Sequence, residues 1–182
     1  ADIATHGFGM GEVHLRINAA QIRNAMRPVD GRAISESANS ASDGVRSPRL
    51  LIDRLANRIR TEEAWAINFA NLDSETATAR RQLMLATQIL KHIDSDQPIR
   101  LLIAECERPL TIMSALYLAH KFGIADMIDI SPLFETSYGL EHGEKVIDQL
   151  LQQQVFVDYV TTRGRLAIQT GFSDAGRFVG QV

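Results

Sequence analysis

The sequence predicts an α/β fold that is rich in helix and built on parallel strands. From position 99 onwards, short apolar runs alternate with longer amphipathic segments, which is the pattern of successive β-α-β units. One run, Ile99–Ala104, is apolar almost throughout, as expected of a strand that is buried on both faces of a parallel sheet. Together these two observations predict a parallel sheet covered by helices.

Strand-like segments occur where a short apolar run ends at polar or turn-forming residues. They are residues 13–17, 99–104, 127–131 and 166–169. In the first segment, Val13, Leu15 and Ile17 alternate with polar residues, which is the two-residue period of a strand. Pro132 follows the third segment. Because proline cannot donate to a strand ladder, we expect backbone pairing to be ending at that position.

Helices are predicted where apolar residues recur at three- and four-residue spacing. The segments are residues 19–27, 50–66, 80–93, 110–122, 144–153 and 155–162. Pro28 should stop the first, Asp73 should provide an acidic cap before the third, and Gly123 should end the fourth. The serine-rich segment 29–48 is interpreted as a mobile loop, and 136–143 as a shorter loop.

The composition is that of an ordinary globular chain, and it argues against several function classes. The 182 residues suit a single domain with a substantial core, with 45% hydrophobic and 23% charged residues. A net charge of −3 gives no basis for nonspecific binding of nucleic acid or acidic membranes, and no apolar run approaches a membrane span. The polar start predicts no secretory signal, and a single cysteine, Cys106, suits a reducing cytoplasm.

Two acidic residues follow predicted strands at the point where the apolar run breaks into Gly, Ser, Thr and Pro. Glu135 comes after the third strand and Asp174 after the fourth. The carboxyl ends of parallel strands form the rim on which α/β proteins bind ligands, and two acids there repel each other unless a cation lies between them. One interpretation is a divalent-metal site, with Mg²⁺ the best match for carboxylate oxygens. The other is a pair of solvated loop residues.

The residues at both strand ends resemble those of phosphoenolpyruvate carboxylase. Pro132-Leu-Phe-Glu-Thr136, a helix, and then a strand ending in Gly171-Phe-Ser-Asp174 match two strand ends of that family. The family's versions, Pro-Leu-Phe-Glu-Thr and Gly-Tyr-Ser-Asp, carry its metal-binding Glu and Asp. The likeness is close over residues 112–180 and only moderate near the first strand.

The resemblance implies a (β/α)8 TIM-type barrel with parallel strands. A closed barrel of this type has eight strands and usually about 250 residues. The sequence offers four strand candidates, so we expect residues 1–182 to be a single, incomplete catalytic domain that forms part of a larger barrel.

The resemblance also implies an enzyme, a lyase that fixes carbon dioxide and supplies the tricarboxylic acid cycle. Phosphoenolpyruvate and bicarbonate would give oxaloacetate and phosphate, by way of carboxyphosphate and the enolate of pyruvate. Mg²⁺ or Mn²⁺ held by Glu135 and Asp174 would stabilise the developing negative charge. Three further residues are candidate catalytic groups. Arg177 replaces the family's lysine and could offset phosphate charge, Arg16 lies near the family's substrate-binding arginine, and Ser173 could orient the site or form a turn.

Three positions depart from the family pattern. Asn18 stands where the family has an arginine, Glu105 stands where it has a Ser-Met-Ala run followed by a basic residue, and Arg177 replaces lysine. These departures leave two other interpretations open: a different magnesium-dependent lyase or phosphotransferase acting on an enolpyruvate-type ligand, and a noncatalytic barrel relative serving in binding or assembly. We expect a cytoplasmic homo-oligomer with no nucleic-acid or membrane partner.

The end of the second strand is crowded with charge. Glu105 could be a further acid at the rim or the partner of an arginine. Glu107 lies near the amino end of the next helix and could instead serve as its cap, which is the interpretation we favour. Cys106 is not expected to be a nucleophile, because no histidine lies close in sequence to activate it.

Overall fold

The computed structural model describes residues 13–27, 47–93 and 97–171. The strands in these ranges are β1 (His14–Asn18), β2 (Ile99–Ala104), β3 (Ile128–Phe134) and β4 (Gln169–Thr170). The helices are α1 (Ala19–Met26), α2 (Pro48–Thr61), α3 (Thr78–His92), α4 (Pro109–Lys121), α5 (Ser137–Leu151) and α6 (Gln154–Arg163), with a 3₁₀ turn at Phe69–Asn71. The segment predicted to be a mobile loop, 29–48, lies outside the described residues as far as position 46; Ser47 is the N-cap residue of α2 and Pro48 is its first residue.

The strands form one sheet in the order β1-β2-β3-β4, and every neighbouring pair is parallel. Crossovers between parallel strands are right-handed almost without exception, so a sheet whose spatial order follows the chain places its connecting helices on one face. The predicted helix-rich α/β fold with parallel strands is therefore confirmed. The described part of the chain is an open sheet of four strands, and closure into an eight-stranded barrel stays a prediction.

The two faces of this sheet have different chemistry. On the face covered by helices, strand residues from β1, β2 and β3 belong to the hydrophobic core: Ile17, Ile99, Leu101, Ile103, Ile128, Ile130 and Phe134. The alternate residues point the other way. We call their side the polar face, and its register brings together His14, Arg100 and Asp129 in one row, and Arg16, Leu102 and Ser131 in the next. The second of these rows is the one nearer to the carboxyl ends of the strands.

Strand β3 extends further than the sequence predicted. Its pairing with β2 ends at Pro132, opposite Ile103, and pairing with β4 begins at Leu133, opposite Gln169. The predicted end of pairing at the proline is correct for the β2 ladder. The N–H that Pro132 lacks would point to the other side, to which Ile130 N and Phe134 O also point, and pairing with β4 begins only beyond it. On the other side the strand continues to Phe134, which brings the residue after it to the rim of the sheet.

Helix α5 begins directly after Thr136, so the predicted loop at 136–143 is wrong. The Thr136 hydroxyl accepts a hydrogen bond from Gly139 N at 3.0 Å and caps the first turn. A Cβ atom added at Gly143 would lie 3.0 Å from the ring of Phe134, so the helix lies very close to β3. The glycines that suggested a loop are instead what lets the helix approach the strand.

Helices α2 and α3 also differ from their predicted limits. Helix α2 ends earlier, and the extended segment after it is tied to α4 by a hydrogen bond from Trp65 N to Lys121 O at 2.7 Å. Helix α3 has Ala77, not Asp73, at its N-cap position. A carboxylate still serves this end of α3, because Glu75 Oε1 accepts a hydrogen bond from Ala77 N at 2.9 Å.

A polar cluster joins α2 to α4 within the helical layer. Its centre is Glu62, whose Oε1 accepts from Arg58 Nε at 2.5 Å and whose Oε2 accepts from the Tyr117 hydroxyl at 2.8 Å. Lys121 Nζ lies 3.3 Å from the same Oε2, and the Lys121 side chain is buried. The hydrogen bond from Arg58 holds the pKa of Glu62 at about 2. We call these four residues the Glu62 cluster.

Helix α6 and the connection after it are fixed to the beginning of β3. The Tyr159 hydroxyl donates to Ile128 O at 2.9 Å and accepts from Ile130 N at 2.7 Å. The buried carboxylate of Asp129 accepts from Arg163 Nε at 2.8 Å. These contacts set the position from which the chain enters β4.

Candidate functional site

Glu135 lies at the carboxyl end of β3, on the polar face, and is almost fully buried. Only 3% of its surface is exposed. Arg16 Nη2, from β1, donates to Oε1 at 2.9 Å and to Oε2 at 2.8 Å. The backbone N–H of Glu105, directly after β2, also donates to Oε1, at 3.2 Å. The carboxylate is therefore held from both preceding strands, and an ionised carboxylate with such donors is oriented firmly.

Glu105 is placed for this contact by a strained backbone. It has φ of +56°, and no other non-glycine residue in the described ranges has a positive φ. A side chain in this left-handed region costs about 1 to 2 kcal/mol, and such residues cluster at functional sites. The strain turns the Glu105 amide towards Glu135 and leaves its own side chain exposed at the rim. The sequence analysis considered only the Glu105 carboxylate, and the contribution of its amide was missed.

Gly171, at the end of β4, lies against the other side of Glu135. Its N–H donates to Phe134 O at 3.0 Å. A Cβ atom at this position would lie 3.1 Å from Glu135 Cβ and 3.6 Å from Glu135 Oε2. A side chain at this position would crowd Glu135, so glycine lets the end of β4 lie directly against it.

The other predicted site residues that follow β4 lie outside the described residues. They are Ser173, Asp174 and Arg177. The structure thus brings together two of the five predicted site residues, Arg16 and Glu135, and the remaining three stay predictions. The pairing of Arg16 with Glu135 was not predicted, although both had been placed at the same end of the sheet.

Glu107 supports the rim in a way that the sequence did not indicate. Its Oε1 accepts a hydrogen bond from the Thr136 hydroxyl at 2.9 Å, and that hydroxyl in turn caps α5. The favoured interpretation, a side-chain cap for α4, is wrong: α4 has Arg108 at its N-cap position and no side-chain cap bond. Glu107 instead connects the end of β2 to the helix that follows Glu135.

Asn18 and Cys106 have structural roles at the same end of the sheet. Asn18 caps α1, because its side chain accepts from Gln21 N at 2.8 Å while Gln21 Oε1 accepts from Asn18 N at 3.0 Å. Cys106 is 1% exposed, and burial raises the pKa of its thiol to about 12. A thiol of this kind is inert near neutral pH, which agrees with the expectation that Cys106 is not a nucleophile.

The described residues fit a divalent cation at Glu135, but they do not complete its coordination. Residues 13–27, 47–93 and 97–171 contain no cluster of three or more His, Cys, Asp or Glu side chains suited to a metal. The fit is local. Oε2 takes one hydrogen bond in the described structure, from Arg16, and lies near Gly171 at the end of β4. A carboxylate oxygen with a free acceptor site is a suitable ligand for Mg²⁺.

A family model for phosphoenolpyruvate carboxylase matches residues 1–182, the whole of this chain. The chain belongs to the phosphoenolpyruvate carboxylase family. A phosphoenolpyruvate carboxylase from Bradyrhizobium diazoefficiens is 24% identical over 181 residues, an alignment that covers 94% of this chain and 19% of that relative. The chain thus spans about a fifth of the length of its curated relative.

Membership in the phosphoenolpyruvate carboxylase family confirms the resemblance read from the two strand ends. The enzyme for which the family is named is a carboxylase, which is a lyase. In the part of the chain that the structure describes, no helix combines the length and the apolar character needed to cross a bilayer.

Proposed function

We propose that this chain is part of a phosphoenolpyruvate carboxylase that forms oxaloacetate and phosphate from phosphoenolpyruvate and bicarbonate. The observation that carries the proposal is the position of Glu135. It is a buried carboxylate at the carboxyl end of a parallel strand, and its Oε2 atom lies near Gly171 at the end of β4. Ligands of parallel α/β folds bind at this end of the strands. Asp174 follows Gly171 closely enough in sequence to share the same rim.

In this proposal, Glu135 and Asp174 hold Mg²⁺ or Mn²⁺. The bound ion supplies a positive charge that stabilises the anionic oxygens of the substrate during the reaction. Glu135 presents Oε2, while Oε1 remains fixed by the Glu105 amide at 3.2 Å. The hydrogen bond from the Glu105 amide is already formed without a ligand, so the carboxylate does not have to be oriented during binding.

The remaining predicted site residues bind and orient the substrate. Arg177 offsets the charge of the phosphoryl group, since a guanidinium can bind phosphate through two parallel hydrogen bonds. Ser173 donates its hydroxyl to a substrate oxygen or closes the turn that presents Asp174. The side chain of Arg16 is half exposed, so it is also accessible to an anionic substrate. The predicted homo-oligomer and cytoplasmic location belong to the same proposal.

The test is bicarbonate-dependent oxaloacetate formation by the intact protein that carries this chain. Glu135→Gln should lower kcat/KM by about 100- to 1000-fold, because it removes one preorganised charge from the site. Glu144→Gln is the matched control, since Glu144 is an exposed glutamate on α5 and should change the rate by less than about twofold. Equal activity of Glu135→Gln and the wild-type protein would contradict the proposal.

A second candidate is a noncatalytic relative in which the same rim serves in binding or assembly. The observation that favours it is the ion pair itself, because Arg16 already supplies Glu135 with a counterion. Manganese titration of the intact protein, with and without phosphoenolpyruvate, separates the two. The carboxylase proposal expects Mn²⁺ binding that depends on Glu135 and strengthens with phosphoenolpyruvate, whereas the noncatalytic candidate expects neither.

A further inference from the structure

The two oxygens of Glu135 are held unequally. Oε1 accepts from both the Glu105 amide and Arg16, whereas the contact described for Oε2 is the one from Arg16, at 2.8 Å. Oε2 is also the oxygen beside Gly171, on the side from which β4 leads towards Asp174. If the Arg16 guanidinium moved away, Oε1 would keep a donor and the carboxylate would keep its orientation. Oε2 would then be free for another cation.

Arg16 is suited to such movement, and Glu135 is not. The Arg16 side chain is 56% exposed, whereas that of Glu135 is 4% exposed. An exposed guanidinium exchanges protein contacts for water at little cost, but a buried carboxylate cannot lose its partner without being left unpaired. In addition, a single nitrogen of Arg16 contacts both oxygens, so the paired, two-nitrogen geometry that makes arginine pairs strongest is not used in this contact.

A guanidinium and a divalent cation on the same oxygen repel each other and therefore compete for it, because both charges would lie within a few ångströms of each other. We propose that Arg16 is an internal competitor for the metal site. Its guanidinium neutralises Glu135 when no metal is bound, and a divalent cation must displace it from Oε2. The displaced guanidinium is then available at the rim for an anionic ligand. This inference rests on the proposed function, since it assumes that Glu135 is a metal ligand.

The first test is Mn²⁺ affinity, measured by electron paramagnetic resonance on the intact protein. Arg16→Gln should bind Mn²⁺ about 10-fold more tightly than wild type, because the metal no longer has to displace a positive charge; groups that contact a metal ligand change metal affinity by about this factor. Arg16→Lys keeps the positive charge and should lie between the two. Arg23→Gln, at an exposed position on α1, is the matched control and should leave the affinity unchanged. Equal or weaker binding by Arg16→Gln overturns the proposal.

The second test needs no variant and therefore does not depend on a substituted protein folding. Phenylglyoxal modifies accessible guanidinium groups, and mass spectrometry gives the rate at each arginine. Saturation of the wild-type protein with Mn²⁺ should speed the modification of Arg16 severalfold and leave Arg23 unchanged. An unchanged or slower rate at Arg16 contradicts displacement.

Glu135→Gln distinguishes failure of this inference from failure of the proposed function. If Mn²⁺ binding survives Glu135→Gln, the metal site itself is wrong. If Glu135→Gln abolishes Mn²⁺ binding but Arg16→Gln does not tighten Mn²⁺ binding, the metal site is supported and the competitor role of Arg16 is wrong.

Discussion

Two glutamates of this chain, Glu62 and Glu135, each contact an arginine. Their surroundings differ, and the difference distinguishes a structural ion pair from one at a candidate binding site. Glu62 lies in the helical layer, where Arg58, Tyr117 and Lys121 surround its carboxylate. Glu135 lies at the rim of the sheet, where Arg16 contacts both oxygens and Gly171 lies against the carboxylate. Both are ion pairs by distance, yet only Glu135 lies at the end of the strands where parallel α/β folds bind ligands.

The two ion pairs differ in which partner is buried, the glutamate at the rim and the lysine in the helical layer. Lys121, a partner of Glu62, is 8% exposed along its side chain and cannot reach water if the carboxylate is lost. Arg16, the partner of Glu135, is 56% exposed and can be solvated where it lies. Breaking an ion pair whose cation is buried destabilises the protein, because it leaves an uncompensated buried charge. An ion pair whose cation is exposed can open, which is what a binding site requires.

The largest effect that tests this comparison is on stability. Glu62→Gln should lower the free energy of unfolding by about 2 kcal/mol, because it leaves the buried Lys121 ammonium without a countercharge. Chemical denaturation measures it. The same variant should keep wild-type Mn²⁺ affinity, since the Glu62 cluster belongs to the helical layer. Loss of Mn²⁺ binding in Glu62→Gln would show that the Glu62 cluster also supports the metal site, and it would contradict the distinction between the two regions.

The next effect is on the pH dependence of stability. The pKa of Glu62 in the folded protein is about 2, below its ordinary value of 4.5. A group with a lowered folded pKa stabilises the protein above its unfolded pKa, and this contribution is lost as the pH falls from 4.5 towards 2. Because a third of the Glu62 side chain is exposed, we expect about 1 to 2 kcal/mol.

Denaturation of wild type and Glu62→Gln across this pH range provides the measurement. The stability difference between the two proteins should be full near neutral pH and should shrink as the solution is acidified. A difference that stays constant down to pH 2 would show that Glu62 is not the titrating group.

The smallest expected effect concerns the backbone at the rim. Glu105→Gly should raise the free energy of unfolding by up to about 1 kcal/mol, because glycine adopts a φ of +56° without the side-chain strain. Glu105→Ala keeps the strain and is the control that removes only the carboxylate. If the two variants unfold at the same denaturant concentration, the positive φ of Glu105 carries no strain.

Elements with a simple physical signature were predictable from the sequence. Strand β2 was predicted with its exact limits, because a continuous apolar run has few alternatives in a parallel sheet. The start of α5 was missed, since Gly139 and Gly143 favour a loop when considered alone. Their role depends on how closely the helix approaches Phe134, which is a tertiary contact that local sequence does not contain.

The candidate site was predicted residue by residue but not as an arrangement. Glu135 followed from its strand end, and Arg16 from its position near the substrate-binding arginine of the family that the sequence resembles. Their pairing could not be predicted, because it depends on the register of β1 and β3 across the intervening strand β2 and on the reach of the Arg16 side chain. The hydrogen bond from the Glu105 amide could not be predicted either, because it depends on a backbone angle that the pattern of side chains does not reveal.

The hydroxyl of Tyr159 has a consequence for how this chain avoids unwanted association. By donating to Ile128 O and accepting from Ile130 N, it satisfies the pair of backbone groups that one residue of an adjoining parallel strand would satisfy. Burial raises the pKa of Tyr159 to about 12, so the hydroxyl keeps the proton that it donates. The Tyr159 side chain thereby takes the place of a strand along the first part of β3, which β4 is too short to cover. These two backbone groups are therefore not open to pairing with a foreign strand.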